Sequence, residues 1–396
     1  MKLAVNARPL LSPVTGIGRY LRGLMAAVER DGRFVPDYFY ATHWSRDLGL
    51  APGRTTSPRI ANMLRSLRPL RPLLRSVQRR NFLAGLRRDA FAFYFEPNYI
   101  PFATDLPTII TIHDLSHLRH PETHPGGRVR ELARELPAAI DKAACILAVS
   151  EFTRREIIAT FGTSPERVVT TPLGVDPRFF PRAQHATRAT LAPLDLTHGR
   201  YFLAVGTLEP RKNLVTTLDA HARLPPRVRT AYPLVVAGMS GWRHGAISRR
   251  LESARARGDA RLLGHVGDDA LPALYAGAAM LAYPSLYEGF GLPPLEAMAS
   301  GIPVAVSDRA SLPEVVGDAG ILVDPYDVDG LTAAMLRIVE DPRFGADMAA
   351  RGIERAKAFT WERCAGMTMQ AWEDALAARS SSGGHNGSRS QAAKSM

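Results

Sequence analysis

Only two cysteines occur in the 396 residues, Cys145 and Cys364. They lie far apart in the chain, so no disulfide framework and no cysteine zinc site is available, and both read as reduced core residues of a cytosolic protein. Long apolar runs are missing too. The N-terminus "MKLAVNARPL" holds too short an apolar run for a signal peptide, and no stretch approaches the ~20 apolar residues of a membrane span. The expectation is a soluble chain, or one that sits on a membrane surface. No helical His-Glu-x-x-His pair is present, and the only Asp-x-Asp, Asp327 with Asp329, falls in a late turn.

Acid is scarce in one half only. Residues 1–190 hold 28 Lys+Arg against 16 Asp+Glu, whereas 191–396 hold 22 of each, so the first half carries all of the +12 net charge. Within it, residues 53–88 carry ten arginines and no acid. Pro58, Pro69 and Pro72 forbid one continuous helix there, and the segment reads as a helix-containing basic insertion, either a solvated face or a surface for an anionic membrane leaflet. Nucleic acid is a weaker partner for it, because few aromatics are interleaved for base stacking.

What is present is ample apolar content, 46% of residues, enough for two cores. Short apolar runs recur with room for helices between them: "KLAVNA", "FAFYFEP", "TIITIHD", "CILAVSE" and "VVTTPLG", then "YFLAVGT", "YPLVVAG", "RLLGHVG", "AMLAYPS", "IPVAVSD" and "GILVDPY". Continuous rather than alternating, they fit parallel strands buried on both faces, hence two doubly wound α/β domains. The domains are placed at 1–185 and 200–360, with a linker at 186–199 inside the Pro-rich, polar stretch 176–200. Residues 380–396, almost without apolar content, read as a disordered tail.

The most informative stretch is "LYEGFGLPPLEAMASG" (286–301). Pro293 and Pro294 favour a first helical turn and "LEAMAS" continues it, which puts Glu296 in that turn and Glu288 in the loop between a strand and the helix. A glycine-rich loop leading to a helix N-terminus is an anion site, and ionised carboxylates beside it suit sugar hydroxyls. Phosphate flanked by hydroxyls describes a nucleotide sugar. "GTLEPRKNL" (206–214) follows a strand and sets Arg211 and Lys212 beside a helix start, placed to stabilise a diphosphate leaving group; the plainer reading is an exposed basic pair in a loop.

"VTGIGRYL" (14–21) presents Gly16 and Gly18 before a helix, but Leu21 stands where a dinucleotide fingerprint needs its third glycine. It reads as a loop that lets backbone amides approach a ligand. "TIITIHDLSHLRHPETHP" (108–125) ends a strand at His113, where open α/β sheets bind ligands. Zinc held by His113, His117, His120 and His124 is disfavoured by the loop context. Ser150 in "VSEFTRREI" and Thr360 in "FTW" read as helix N-caps, and "GVD" (174–176) as a loop.

Taken together, "GTLEPRKNL", "GHVGDDALPALYAGA", "YPSLYEGFGLPPLEAMASGIPVAVSD" and "EVVGDAGILVDPYD" resemble the retaining GT-B glycosyltransferases of family four (group 1 type). "GIGRYL", "HDLSHLRHP", "VSEFTRREI", "PLGVD" and "FTW" extend the likeness through the first half, and the narrower likeness is to bacterial mannosyltransferases that build surface polysaccharides. The resemblance implies two Rossmann-like domains facing a cleft, the donor nucleotide on the second, the acceptor on the first, and a last helix at 361–379 crossing back.

By the same resemblance, Glu288 contacts the donor sugar together with Gly289, Phe290 and Gly291, and Glu296 holds the ribose. Arg211 and Lys212, with Gly16, Gly18, Gly291 and Leu292, meet the diphosphate. His265 and Val266 lie at the nucleobase, and His113 lies near the transferred sugar. Leu173 stands where many members have asparagine. The resemblance implies a nucleotide sugar as substrate, no cofactor and no metal, and a glycan or lipid-linked glycan as acceptor. A glycosidase pair is disfavoured, because Glu296 would face ribose, away from the reacting bond. Two other readings stay open on this scaffold, a nucleotide-sugar epimerase and a sugar phosphorylase.

Overall fold

The computed structural model describes residues 1–11, 16–49, 71–239 and 245–387. Thirteen strands among them form two sheets. The first takes β1 (Lys2–Asn6), β2 (Val35–Phe39), β3 (Trp44–Ser45), β4 (Phe93–Glu96), β5 (Thr108–Ile112), β6 (Cys145–Ala148) and β7 (Val168–Thr170), in the order β3-β2-β1-β4-β5-β6-β7. The second takes β8 (Phe202–Val205), β9 (Leu234–Ala237), β10 (Ala260–Gly264), β11 (Met280–Tyr283), β12 (Val304–Ser307) and β13 (Ile321–Val323), in the order β10-β9-β8-β11-β12-β13. Every pairing is parallel except that of the short edge strand β3 with β2. Both sheets change direction at their first strand, and such switch points open the crevice in which doubly wound sheets bind ligands.

The strands are apolar because helices cover both faces. In β4, β6, β9, β11 and β12 every residue is buried, as parallel strands require. One apolar cluster runs from Leu3 and Tyr20 in the first domain to Leu295 and Val304 in the second. The helix Trp361–Gly387 joins them: it packs on the helix Gly16–Asp31 and buries Trp372 completely against Phe34, Phe93 and Phe95. Gly23 permits this approach, since a Cβ there would lie 2.2 Å from the Trp361 ring. Thr360 caps the helix, its Oγ1 accepting from Arg363 N at 3.1 Å.

Three boundaries differ from the sequence reading. The expected linker 186–199 is mostly structured: the helix Gln184–Leu191 packs against the helix Leu271–Ala276 of the second domain and runs into a turn at Ala192–Leu194. The final helix continues to Gly387, past the expected start of a tail at 380; residues 388–396 lie outside the described residues. In the basic segment 53–88, residues 53–70 also lie outside them; the helix Arg71–Leu86, with Pro72 in its first turn, follows, and Arg87 and Arg88 form a turn after it. That helix packs Phe82 into the aromatic cluster of Phe39, Trp44 and Tyr94.

No helix among the described residues is long and apolar enough to cross a membrane.

Candidate active site

The loop 284–291 links β11 to the helix Leu292–Ala299, whose first turn carries Pro293 and Pro294 as expected. Gly291 caps this helix with φ 117°, and a Cβ there would also strike Leu312 at 2.8 Å. Two constraints therefore require glycine at this position. The Ser311 hydroxyl, buried behind the loop, points at the carbonyls of Glu288 (2.9 Å) and Phe290 (2.7 Å). Pro293 and Pro294 carry no N–H and Leu295 N donates to the Gly291 carbonyl, so the amides left for a ligand at this helix start are those of Phe290, Gly291 and Leu292, residues of the cleft wall.

Glu288 is enclosed by cations. Its Oε1 accepts from Lys212 Nζ at 2.6 Å and from the Tyr283 hydroxyl at 2.9 Å, and its Oε2 lies 3.2 Å from the Arg211 guanidinium. Burial opposes ionisation here, yet Lys212 and Arg211 outweigh it and hold the carboxyl down at about 2. Glu288 is thus a fixed anion without a proton to give.

Arg211 is not the exposed loop residue of the plainer sequence reading. It is only 9% exposed, donating to the Tyr287 carbonyl (2.5 Å) and to Glu209 (2.7 Å). Arg211, Lys212, Glu209 and Glu288 balance in charge, so what this site offers an anion is Lys212 Nζ and the loop amides rather than a surplus of positive charge.

Glu296 lies in the second turn of its helix, not the first, and is 3% exposed. Its Oε1 accepts from Arg19 of the first domain at 2.5 Å, and Arg19 also reaches Asp268 at 3.2 Å. Its Oε2 lies beside the Tyr275 hydroxyl without a well-formed hydrogen bond. Burial pushes the Glu296 carboxyl above the usual range, with Arg19 opposing.

Gly16 and Gly18, read as a loop, are the first turn of the helix Gly16–Asp31, with Gly16 beside Leu292 across the cleft; residues 14 and 15 lie outside the described residues. His113 follows β5. Its Nε2 lies 2.8 Å from the Pro97 carbonyl, which can only accept, so the proton is on Nε2 and Nδ1 is left as an acceptor. Burial lowers its pKa and keeps the ring neutral. His265 and Val266 come directly after β10. These residues surround one cavity of about 460 Å³ whose wall includes Gly16, His113, Lys212, Glu288, Val266 and Glu296.

The two domains meet at this loop. A Cβ on Gly289 would lie 1.7 Å from the His113 carbonyl oxygen, so only glycine allows the contact. Ser150 caps its helix as expected, accepting from Thr153 N at 3.0 Å, and sends its own proton across to the Gly289 carbonyl at 2.6 Å. Glu314 of the second domain takes the first amides of that helix, Glu151 N at 2.8 Å and Phe152 N at 3.0 Å.

Sequence reasoning missed Arg19, Glu209, Tyr283 and Tyr287. Tyr283 alone had a usable signal, its place at the C-terminal end of a buried strand. Leu173 is buried and lines the same cavity. The four histidines considered for zinc do not converge, and no cluster of metal-ligating side chains occurs among the described residues. Asp327 instead caps a helix through Gly330 N, and Asp329 pairs with Arg223.

Residues 194–359 match the family "Glycosyl transferases group 1" and residues 14–179 match "Glycosyltransferase Family 4". Along 385 residues, 94% of this chain and 100% of the relative, the sequence is 38% identical to O-antigen chain mannosyltransferase B of Escherichia coli. The chain belongs to the group 1, family four glycosyltransferases. It is a hexosyltransferase of GT-B architecture. The enzyme is also 30% identical over 66% of its length to the serotype-specific mannosyltransferase WbdA of Escherichia coli, of which it spans 33%. Its fold superposes on sucrose-phosphate synthase from Thermosynechococcus elongatus with a TM-score of 0.72, at 21% identity over 95% of this chain and 99% of that one.

Proposed function

We propose that this glycosyltransferase moves mannose from GDP-mannose onto a hydroxyl of a glycan or lipid-linked glycan, with retention of configuration, in the assembly of a surface polysaccharide of the O-antigen kind. The observation that carries the reading is the cleft in which Lys212, Glu288 and the amides before the helix Leu292–Ala299 face His113 of the other domain. Mannose as the sugar is supported by the 38% identity to an O-antigen mannosyltransferase.

In the reaction the bond between the anomeric carbon and the diphosphate oxygen breaks. A bond from that carbon to the acceptor oxygen forms on the same face, and the acceptor proton passes to the leaving diphosphate, which departs as GDP. Lys212 and the amides of Phe290, Gly291 and Leu292 stabilise the charge that develops on the diphosphate. Glu288 keeps Lys212 in place and receives hydroxyls of the sugar. Glu296 accepts from the ribose, and the backbone near Val266 meets the base. His113 offers Nδ1 to a hydroxyl of the transferred sugar.

Charge compensation by Lys212 and the loop amides makes a divalent metal unnecessary, and the enzyme needs no cofactor. The exposed Arg79, Arg80, Arg87 and Arg88 would dock on the anionic inner leaflet, where a lipid-linked acceptor is presented. Product analysis by NMR tests the reading: an α-linked mannoside formed only with acceptor present supports it. An inverted product removes the retaining mechanism, and acceptor-independent isomerisation of the donor assigns an epimerase instead.

A further inference from the structure

The histidine-rich loop after β5 has a feature that the donor chemistry does not use. His117 sits in the short helix Ser116–Arg119 and is only 2% exposed, yet neither ring nitrogen has a hydrogen-bond partner. A buried polar atom left unpaired costs about 1 to 3 kcal/mol, so native structures seldom keep two on one side chain without reason. His117 is also part of the cavity wall, on the first-domain side, together with Tyr99, Asp114, Ser116, His124 and Arg128.

The neighbours have fixed directions. Ser116 Oγ lies 2.7 Å from Asp114 Oδ1, which accepts, so the Ser116 proton is committed there. His124 Nε2, 2.9 Å from the same Oγ, must then be the donor, which leaves His124 Nδ1 as an acceptor. Asp114 Oδ1 also takes the Tyr99 hydroxyl at 3.0 Å and Ser116 N at 2.9 Å. Arg128 lies over the Tyr99 ring, 5.9 Å from its centroid, and forms no ion pair among the described residues. Tyr99 and Leu132 add apolar surface to this wall.

We infer that His117, with His124 and Arg128 beside it, forms the subsite that selects the acceptor, binding a pair of hydroxyls on the terminal sugar of the glycan. A neutral imidazole offers one N–H and one lone pair, and neighbouring sugar hydroxyls, each able to donate and accept, satisfy both. The Tyr99 ring presents a flat surface for the C–H face of a pyranose. This wall is also the one that remains when Lys212, Glu288, Glu296 and Val266 hold the donor. The inference rests on the transfer reaction proposed above and makes His117 a specificity-determining residue, not a catalytic one.

The test uses the full-length enzyme with saturating GDP-mannose and octyl α-mannopyranoside as acceptor, alongside the monodeoxy analogues of that acceptor. His117→Phe fills the space without ring nitrogens, and its KM for the octyl mannoside should rise about tenfold or more, the equivalent of about 1.4 kcal/mol. At least one monodeoxy analogue should cost the wild type about that factor and cost the variant almost nothing. His117→Gln, which keeps a donor and an acceptor, should recover most of the loss. Calorimetry with GDP reports whether each variant is folded, and if His117→Phe is not, the smaller apolar His117→Leu takes its place in the analogue series: loss of the wild type's discrimination against the monodeoxy acceptor supports the subsite, and discrimination kept in full overturns it. An unaltered KM in folded His117→Phe, or equal losses with every analogue in both enzymes, overturns it as well. Absence of transfer to any mannoside by the wild type overturns the proposed reaction and this subsite with it.

Discussion

Arg19 of the first domain and Glu296 of the second lie 2.5 Å apart across the cleft. Glu296 is buried, and among the described residues Arg19 is the cation that opposes this burial; Tyr275 and Asp176 also face it, and Asp268 shares Arg19. The pair couples the ionisation of Glu296, the carboxylate proposed above to meet the ribose, to a residue of the other domain.

The pH dependence follows from this pair. Burial raises the Glu296 pKa, so as pH falls through that value the carboxylate takes a proton and loses one hydrogen-bond acceptor for ribose. GDP affinity should therefore weaken on acidification, and in Arg19→Met the weakening should begin at higher pH. Calorimetry from about pH 4.5 to about pH 8 reads both effects. Superimposable profiles would remove Arg19 from this role.

The two glutamates should separate in binding assays. Glu296→Ala should weaken GDP binding by about 1.5 to 3 kcal/mol, the value of a charged hydrogen bond. Glu288→Gln should leave GDP affinity unchanged or tighter, because Lys212 and Arg211 lose an anion that competes with the diphosphate, while transfer falls by orders of magnitude. Equal losses of GDP affinity in the two variants would contradict the roles assigned.

Lys212→Met should weaken GDP binding strongly and leave guanosine binding nearly unchanged, because the proposed pose sets Lys212 against the diphosphate alone. Transfer should persist in EDTA. Full loss restored by magnesium or manganese would show that the lysine and loop amides are insufficient.

A stability prediction concerns Glu96, at the end of β4 and bonded to Asn6 Nδ2 and the Tyr94 hydroxyl, each at 2.6 Å. Burial outweighs these donors and pushes its pKa up to about 7. A carboxyl raised in the folded state favours folding while protonated, so its contribution is present below about pH 4.3 and is lost as pH rises toward about 7. Glu96→Gln should flatten stability over that window in urea denaturation. An unchanged slope would assign it to other groups.

Much of this molecule was legible in its sequence because parallel strands buried on both faces leave continuous apolar runs. The prolines 293 and 294 and the caps Ser150 and Thr360 act locally, so their geometry could be read from neighbours in the chain. Arg19 and Glu296 could not be paired this way, since their contact exists only once the two sheets close on each other. Arg211 looked exposed because its burying partners, Glu288 and the Tyr287 carbonyl, lie more than 70 residues away. The helix Gln184–Leu191 was hidden in a polar, Pro-rich stretch whose few apolar residues, Leu191 among them, find their partners in the second domain.

The identity of the donor tests the central claim most directly. A nucleotide-release screen of sugar nucleotides, with octyl α-mannopyranoside as acceptor, should show release of GDP from GDP-mannose well above every other donor. Turnover of UDP-glucose or UDP-N-acetylglucosamine with none of GDP-mannose would contradict the account.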